Sequence, residues 1–285
     1  MVRFLLLIVC PVIITVRNRR MKTISAIFLL ASTLMLGLPL EASASTATFL
    51  GSGTGPGGVG VSASAVFDIS GNNLTITLTN TSVANSGQDV PGSTLTGVFW
   101  NSASSRSLTP LSATVASGSS IIQQAGCCAG VTNVGGEFGY QAAAFGAGAP
   151  VGANRGIASS GYLTTGLSGN LGNFNGVNLE GPVSLDGINF GIVSSASGFN
   201  PNGGLSAVPL IQNSVVFVLT GVNGLTTADI SNVSFQYGTA YNELNVPGGG
   251  GGGKVPEPGS VALFGASLLA LYATTRRRKS IGLRL

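Results

Sequence analysis

The sequence predicts a mainly β protein whose body is an antiparallel β-sandwich or jelly roll. Between residues 45 and 246, short β-rich segments recur, separated by turns rich in glycine, asparagine and serine. No part of that region shows a sustained helical period of 3.6 residues. Only 8% of the 285 residues are charged and 44 are glycine, whereas a typical globular domain has about 25% charged residues.

The first predicted strands form a hairpin. In Val61–Ile69 the residues at alternate positions are all apolar, and Leu74–Thr79 alternates strictly between an apolar residue and threonine. Gly71, followed by Asn72 and Asn73, predicts a tight turn between them. The two segments therefore predict a pair of strands with one face in the core.

Later segments predict the other strands and the loops. The further predicted strands are Thr94–Trp100, Glu137–Phe145, Leu185–Val193, Val215–Leu219 and Ile230–Tyr237. Val215–Leu219 is apolar throughout, which predicts a central buried strand, and Thr226–Ile230 predicts one helical turn. The stretch Ala147–Gly181, rich in glycine and asparagine, predicts loops at one end of the body. Such loops are either a binding site or simply solvated.

The N-terminus predicts a secretory signal helix. Lys22 supplies the positive start, and Ile24–Leu40 is almost wholly apolar or small. Ala42 and Ala44 form a signal peptidase site that leaves Ser45 as the first mature residue. A retained N-terminal membrane anchor is the alternative.

The C-terminus predicts a short transmembrane helix with a basic end. The uncharged run Gly259–Thr275 has 17 residues, about 25 Å as a helix, slightly less than the hydrocarbon core of about 30 Å. Its end carries the basic residues Arg276, Arg277, Arg278 and Lys279. Positive charge favours the cytoplasmic side, so the body faces outward.

A proline-flanked glutamate precedes this helix. Pro256 and Pro258 disfavour helix around Glu257 and hold the peptide extended, the conformation that a protease usually binds. The glycines Gly248–Gly253 predict a flexible coil, which lets an enzyme at the membrane reach this peptide while the folded body stays clear.

The order of these parts resembles the PEP-CTERM sorting signal. Pro256, Glu257 and Pro258 match its triplet, Val261–Ala273 its spanning segment and Arg276–Lys279 its basic end. The resemblance implies recognition by an exosortase, a membrane transpeptidase-like protease that cleaves near the triplet. It also implies a Gram-negative host that makes exopolysaccharide. An uncut membrane anchor is the alternative.

The predicted organisation has four parts. They are a signal peptide at 1–44, a β-sandwich ectodomain at 45–246, a glycine-rich linker at 247–255 and the sorting signal at 256–285. Because residues 1–20 hold a second apolar run, we expect translation to start at Met21 rather than Met1. The first 20 residues are then an artefact of gene prediction.

Composition excludes several function classes. The sequence has no histidine, which excludes Ser-His-Asp and Cys-His catalysis and any His-ligated metal site. The net charge is +4, but the basic residues are concentrated at the two ends. Residues 45–246 hold two arginines and seven acidic residues, a net charge of −5. This body has no basic patch for nucleic acid.

Two adjacent cysteines are the clearest redox feature of the body. In an oxidising compartment Cys127 and Cys128 are expected to be oxidised. A disulfide between them, two free thiols and bridges to another chain are equally open. Two cysteines alone do not complete a metal site.

The acidic residues offer weak candidates for calcium binding or catalysis. Asp68, Asp186, Asp229 and Glu180 lie near turns and could bind calcium, but the spacing matches no calcium loop. Glu180 with Asp186, or Glu137 with either, could form a glycosidase pair. Nothing in the sequence selects a pair, so no catalytic residue, metal or cofactor is predicted.

Aromatic residues offer a sugar-binding surface. Trp100 follows Phe99, and neighbours in a strand point to opposite faces, so one of them could be exposed. Trp100 is therefore a candidate sugar contact, although aromatic residues on strands more often belong to the core.

The sequence thus predicts an exported, non-enzymatic protein of the cell surface or extracellular matrix. Its expected processing enzymes are signal peptidase and exosortase. It would reside transiently in the inner membrane and then associate with exopolysaccharide in a biofilm. The alternatives are a carbohydrate-binding module that holds matrix polysaccharide and, less favoured, a polysaccharide hydrolase.

Overall fold

The computed structural model describes residues 45–83, 89–123, 128, 130–142, 145, 150–159, 177–180, 188–196, 199–202, 204–240 and 243–250. They lie in one compact unit, Ala42–Leu285. These residues are mainly β and their sheets are largely antiparallel, which confirms the predicted class. The predicted signal helix and C-terminal helix lie outside the described residues.

The strands of the described residues are numbered in chain order. They are β1 (Ser45–Thr54), β2 (Gly60–Ser70), β3 (Asn73–Asn80), β4 (Leu95–Ser102), β5 (Thr109–Val115), β6 (Ser120–Ile122), β7 (Gly139–Ala142), β8 (Arg155–Ala158), β9 (Val177–Asn178), β10 (Ile192–Val193), β11 (Leu210–Gln212), β12 (Ser214–Thr220), β13 (Ile230–Tyr237), β14 (Asn245–Pro247) and β15 (Gly249–Gly250). Short 3-10 turns occupy Pro56–Gly58, Pro91–Ser93, Gly135–Glu137 and Thr227–Asp229. The last of these confirms the predicted helical turn.

The first sheet has the order β15-β1-β2-β3-β12-β5 and is antiparallel throughout. Every second residue of β2 and β3 is buried, because strand residues alternate between faces. β12 lies between β3 and β5, which confirms the predicted central strand. Its outer-face residues Val216 and Val218 are only partly buried.

The predicted hairpin turn is present, one residue earlier than expected. Ser70 pairs with Asn73, so the two turn residues are Gly71 and Asn72. Gly71 has a φ of 59°, which glycine adopts without steric cost at the first central position of a hairpin turn.

The second sheet is built around β4. Its path is β6-β11-β10-β4-β8-β7-β9, and β13 pairs with the other side of β4 while also pairing with β14. The pair β10–β11 is parallel. Both faces of β4 are covered, because Trp100 lies in the main core and Phe99 in a separate cluster with Ala158 and Phe145.

The main core lies between the two sheets. Phe67 of β2 meets Trp100 of β4 edge to face, with ring centroids 5.5 Å apart. Phe138 similarly meets Phe217 of β12 at 4.9 Å. Such aromatic contacts add to the stabilisation from burial, so both sheets depend on one shared core.

Two predicted segments differ from the structure. In Leu185–Val193 only β10 is a strand among the described residues, and Ile188–Phe190 forms a turn. The predicted loop Ala147–Gly181 contains β8 and β9. β8 is a central strand between β4 and β7. Its sequence, Arg-Gly-Ile-Ala, is too short and too poor in β-branched residues to predict a strand.

The boundary of the body also differs from the predicted one. Pro247 belongs to β14, and β15 pairs with β1. The ectodomain therefore extends to Gly250, and the predicted linker at 247–255 can begin only after it. A sheet partner in the sequence-distant β1 decides this, and composition alone does not reveal it.

Candidate functional site

Both basic side chains of the body lie at one cavity. Between residues 45 and 246 the sequence has Arg106 and Arg155 and no lysine. Both line a solvent-open cavity of about 480 Å³, together with Asn154 and serines of the loop 102–107. The cavity therefore concentrates all the positive charge of a body whose net charge is −5.

Arg155 is the first residue of β8, and its side chain leaves the strand on the face that points toward the core. It pairs with Trp100 of β4 on one side and with Ala142 of β7 on the other. Residues directly opposite each other on neighbouring strands share a face. The side chain of Arg155 therefore begins beside the core, and it is only 6% exposed.

Backbone carbonyls hold the guanidinium of Arg155. Nη1 donates to the carbonyl of Asn154 at 2.8 Å, while Nη2 donates to those of Ser104 at 3.2 Å and Arg106 at 2.9 Å. A guanidinium has five N–H donors, so these bonds leave two. Nε is buried without a partner, and none of these recorded partners is a carboxylate.

Tyr140 lies between Arg155 and the core. Its ring stacks on Trp100 with centroids 6.3 Å apart, and its hydroxyl is buried without a satisfactory hydrogen bond. Burial raises the pKa of Tyr140 to about 12, against the smaller opposing effects of the charge of Arg155 and of a marginal hydrogen bond to it. Tyr140 is therefore neutral at physiological pH and does not compensate the guanidinium charge.

Asn154 and Arg106 complete the cavity. The Asn154 side chain accepts from the backbone N–H of Ser102 at 2.8 Å and donates to its carbonyl at 2.9 Å, which fixes the end of β4. Arg106 is exposed, and its Nη2 lies 3.7 Å from the position that a Cβ at Gly224 would take. The cavity thus has one buried and one exposed cation.

Trp100 does not form the predicted sugar contact. Its side chain is 0% exposed and packs against Phe67 and Tyr140. Phe99 points to the opposite face, as expected, but it is fully buried too. A ring can stack on a sugar only where its face is accessible, and packing covers both sides of β4.

The structure brings the segments of Glu137 and Glu180 together, because the backbone N–H of Leu179 donates to the carbonyl of Gly135 at 3.2 Å. Two other acidic candidates have local hydrogen-bonding roles. Asp68 accepts a hydrogen bond from a cross-strand threonine at 2.8 Å, and Asp229 caps its own turn. The described residues contain no group of three or more His, Cys, Asp or Glu that could hold a metal ion. Asp186 lies outside them, so its pairing with Glu180 or Glu137 stays a prediction.

The cysteine pairing also stays a prediction. Cys128 is disulfide-bonded and packs partly buried against the core. Its partner lies outside the described residues, as does Cys127.

The terminal sites fall mostly outside the described residues. Ser45, the predicted mature N-terminus, is the first residue of β1. Ala42, Ala44, the triplet Pro256–Pro258 and the basic residues Arg276–Lys279 are not described. Among the described residues, no helix has the length and apolar character needed to cross a membrane.

Sequence reasoning missed the cavity. The signal that could have indicated it is the presence of two isolated arginines in a lysine-free, acidic region. Arg106 and Arg155 are far apart in sequence, however, and only the pairing of β8 with β4 brings their loops together.

Comparison with known proteins finds one family. The model of the PEP-CTERM protein-sorting motif matches residues 254–279. No curated protein and no solved structure matches the chain. The chain therefore carries a PEP-CTERM sorting motif, which implies an exported, cell-surface-directed protein that an exosortase processes at the membrane.

Proposed function

We propose that this protein is a non-enzymatic component of the cell surface or extracellular matrix that associates with exopolysaccharide through a β-sandwich body. Signal peptidase cleaves the chain before Ser45, which becomes the mature N-terminus. Exosortase then cuts near Pro256–Pro258. The sorting motif at 254–279 carries this proposal. The inner membrane is a transient location, and the mature body acts outside it.

The two ends of the body support such processing. Gly250 pairs with Phe49, and β15 runs antiparallel to β1. β15 therefore runs toward the end of β1 at which Ser45 lies. Ser45 and the C-terminal end of β15 therefore lie toward the same end of β1. Cleavage near Pro256 would leave both closing strands, β14 and β15, on the released body.

A non-enzymatic role agrees with the chemistry of the described residues. The sequence has no histidine, and the described side chains of Asp68, Asp89 and Asp229 accept hydrogen bonds within strands and turns. A hydrolase remains the weakest candidate. The second candidate, a carbohydrate-binding module, is favoured by the basic cavity with its serine and asparagine lining.

The test of processing is intact-mass measurement and terminal sequencing of the protein from its native host and from an exosortase deletion strain. We expect termini at Ser45 and near Pro256 in the host, and a retained tail in the deletion. Glu257→Ala should also retain the tail, whereas the matched change Gly252→Ala should not. An uncut tail in both strains would reject exosortase processing.

A further inference from the structure

We propose that the cavity at Arg155 binds the carboxylate of a hexuronate residue in an acidic polysaccharide. This deepens the proposed function, because it rests on the body meeting exopolysaccharide. It names the site and the chemical class of the sugar, neither of which follows from the sorting motif.

The distribution of charge is the first argument. The region 45–246 is acidic, and its two basic side chains both line this cavity. An acidic surface repels a polyanion, so attraction within this region is strongest where its two positive side chains meet. The body can therefore select a carboxylate at this point without adhering to polyanions over its whole surface.

The burial of Arg155 is the second argument. Removing a charge from water is strongly unfavourable unless partners compensate it. Three neutral carbonyls provide only partial compensation, and none of these partners carries a negative charge. A carboxylate supplies both the missing charge and hydrogen-bond acceptors, and Arg is well suited to such recognition.

The cavity lining is the third argument, and it favours a sugar. Serine hydroxyls both donate and accept hydrogen bonds, and the Asn154 side chain can do the same. These groups match a ligand that carries several hydroxyls beside its charge. The volume of about 480 Å³ lies within the range of about 300–1,000 Å³ typical of small-molecule sites.

The test measures binding of the processed protein, purified from its host, to oligogalacturonate by calorimetry. The comparison ligand is the same oligomer after reduction of its carboxyl groups, which leaves a neutral sugar of equal length. We expect binding of the acidic oligomer and at least about tenfold weaker binding of the reduced one, because only the former supplies a counter-charge.

Paired variants locate the site. Ser105 lines the cavity and is exposed, whereas Ser117 is exposed at the opposite end of β5. Ser105→Asp should weaken oligogalacturonate binding at least about tenfold by like-charge repulsion, and Ser117→Asp should not. Ala142→Trp should obstruct the cavity without changing its charge. Leu111→Trp, at an exposed position of β5, serves as its control. Thermal unfolding checks that all four variants fold.

Three outcomes of the oligogalacturonate measurements would overturn the inference. They are absence of oligogalacturonate binding, equal binding of the reduced oligomer, and Ser105→Asp and Ala142→Trp variants that bind like their controls. Equal binding of polyglutamate or inorganic phosphate would reject the sugar class as well. Binding of the host's own polysaccharide without any uronate preference would reject this inference but leave the proposed function standing. An uncut tail in the host and in the exosortase deletion strain would reject the processing step of the proposed function but leave this inference standing.

Discussion

Arg155 connects the stability of the loop 102–107 with the chemistry of the cavity. Its guanidinium is bound by the carbonyls of Asn154, Ser104 and Arg106, and these bonds fasten the loop to β8. Hydrogen bonds to a charged group contribute about 1.5–3 kcal/mol each, which helps to offset the cost of burying the charge. The same bonds hold the loop serines and Arg106 around the cavity.

Because Tyr140 is buried, we expect the free energy of unfolding to fall at high pH. The unfolded chain releases the phenolic proton near the ordinary pKa of 10.0, whereas the folded protein retains it up to about 12. The folded state therefore binds more protons between these values. Stability should decrease as pH rises through this window, by up to about 1.4 kcal/mol per pH unit. Burial raises the pKa of Tyr237 in the same direction.

Urea unfolding between pH 8 and 11 measures this effect. Tyr140→Phe should show a smaller loss of stability above pH 10 than the wild type. At pH 8 it should be at least as stable, because the lost hydroxyl has no satisfactory partner and an unsatisfied buried hydroxyl is unfavourable. Identical pH dependence in the two proteins would contradict the burial of a protonated Tyr140.

At the scale of elements, the two glycines of β15 form the edge strand of the first sheet, next to β1. Gly250 has a φ of 106°, which side-chain-bearing residues rarely adopt. A Cβ there would lie 2.6 Å from the carbonyl oxygen of Thr48, whereas one at Gly249 would make an ordinary contact at 3.9 Å. Only one of these adjacent positions therefore requires glycine.

Gly250→Ala should separate β15 from β1, and Gly249→Ala should leave them paired. Amide hydrogen exchange of Phe49 and Leu50, the β1 residues opposite β15, is the measurement. We expect faster exchange in the first variant because strain and a steric clash oppose pairing. Equal exchange in both variants would show that β15 does not depend on the conformation of Gly250.

The elements differ in how far the sequence could predict them. β2 and β3 have strict alternation and a glycine turn, so local patterns suffice. β8 has four residues and β15 has two glycines, and neither carries a pattern of its own. Each exists because a distant strand supplies its hydrogen bonds, β4 for β8 and β1 for β15. Propensity cannot indicate such pairing.

For the whole molecule, the position of the C-terminal boundary has consequences for stability. A mature chain that ends at Gly250 keeps β14 and β15, whereas one that ends at Leu244 loses both. Val246 of β14 is buried in the core, and burial of one valine contributes about 1.5–3 kcal/mol. We expect the shorter chain to unfold at a lower urea concentration.

The matched control is a chain that ends at Gly253. It should unfold at the same urea concentration as the chain that ends at Gly250. Equal stability of the Leu244 and Gly250 chains would place the boundary before β14 and assign residues 245–250 to the linker. The comparison therefore tests where the released body ends, separately from where exosortase cuts.

The sequence alone determined the sorting route and the β class. A sorting motif is a linear signal that acts as extended peptide and membrane segment, so its residues and their order carry the information. Alternation of apolar residues likewise reports which face of a strand is buried.

Only the tertiary structure decided which side chains meet. It buried Trp100, the predicted sugar contact, because both faces of β4 are covered. It brought Arg106 and Arg155 to one cavity, because β8 pairs with β4 and the loop 102–107 folds over their end. Burial and charge proximity depend on contacts between segments distant in sequence, and no local pattern contains that information.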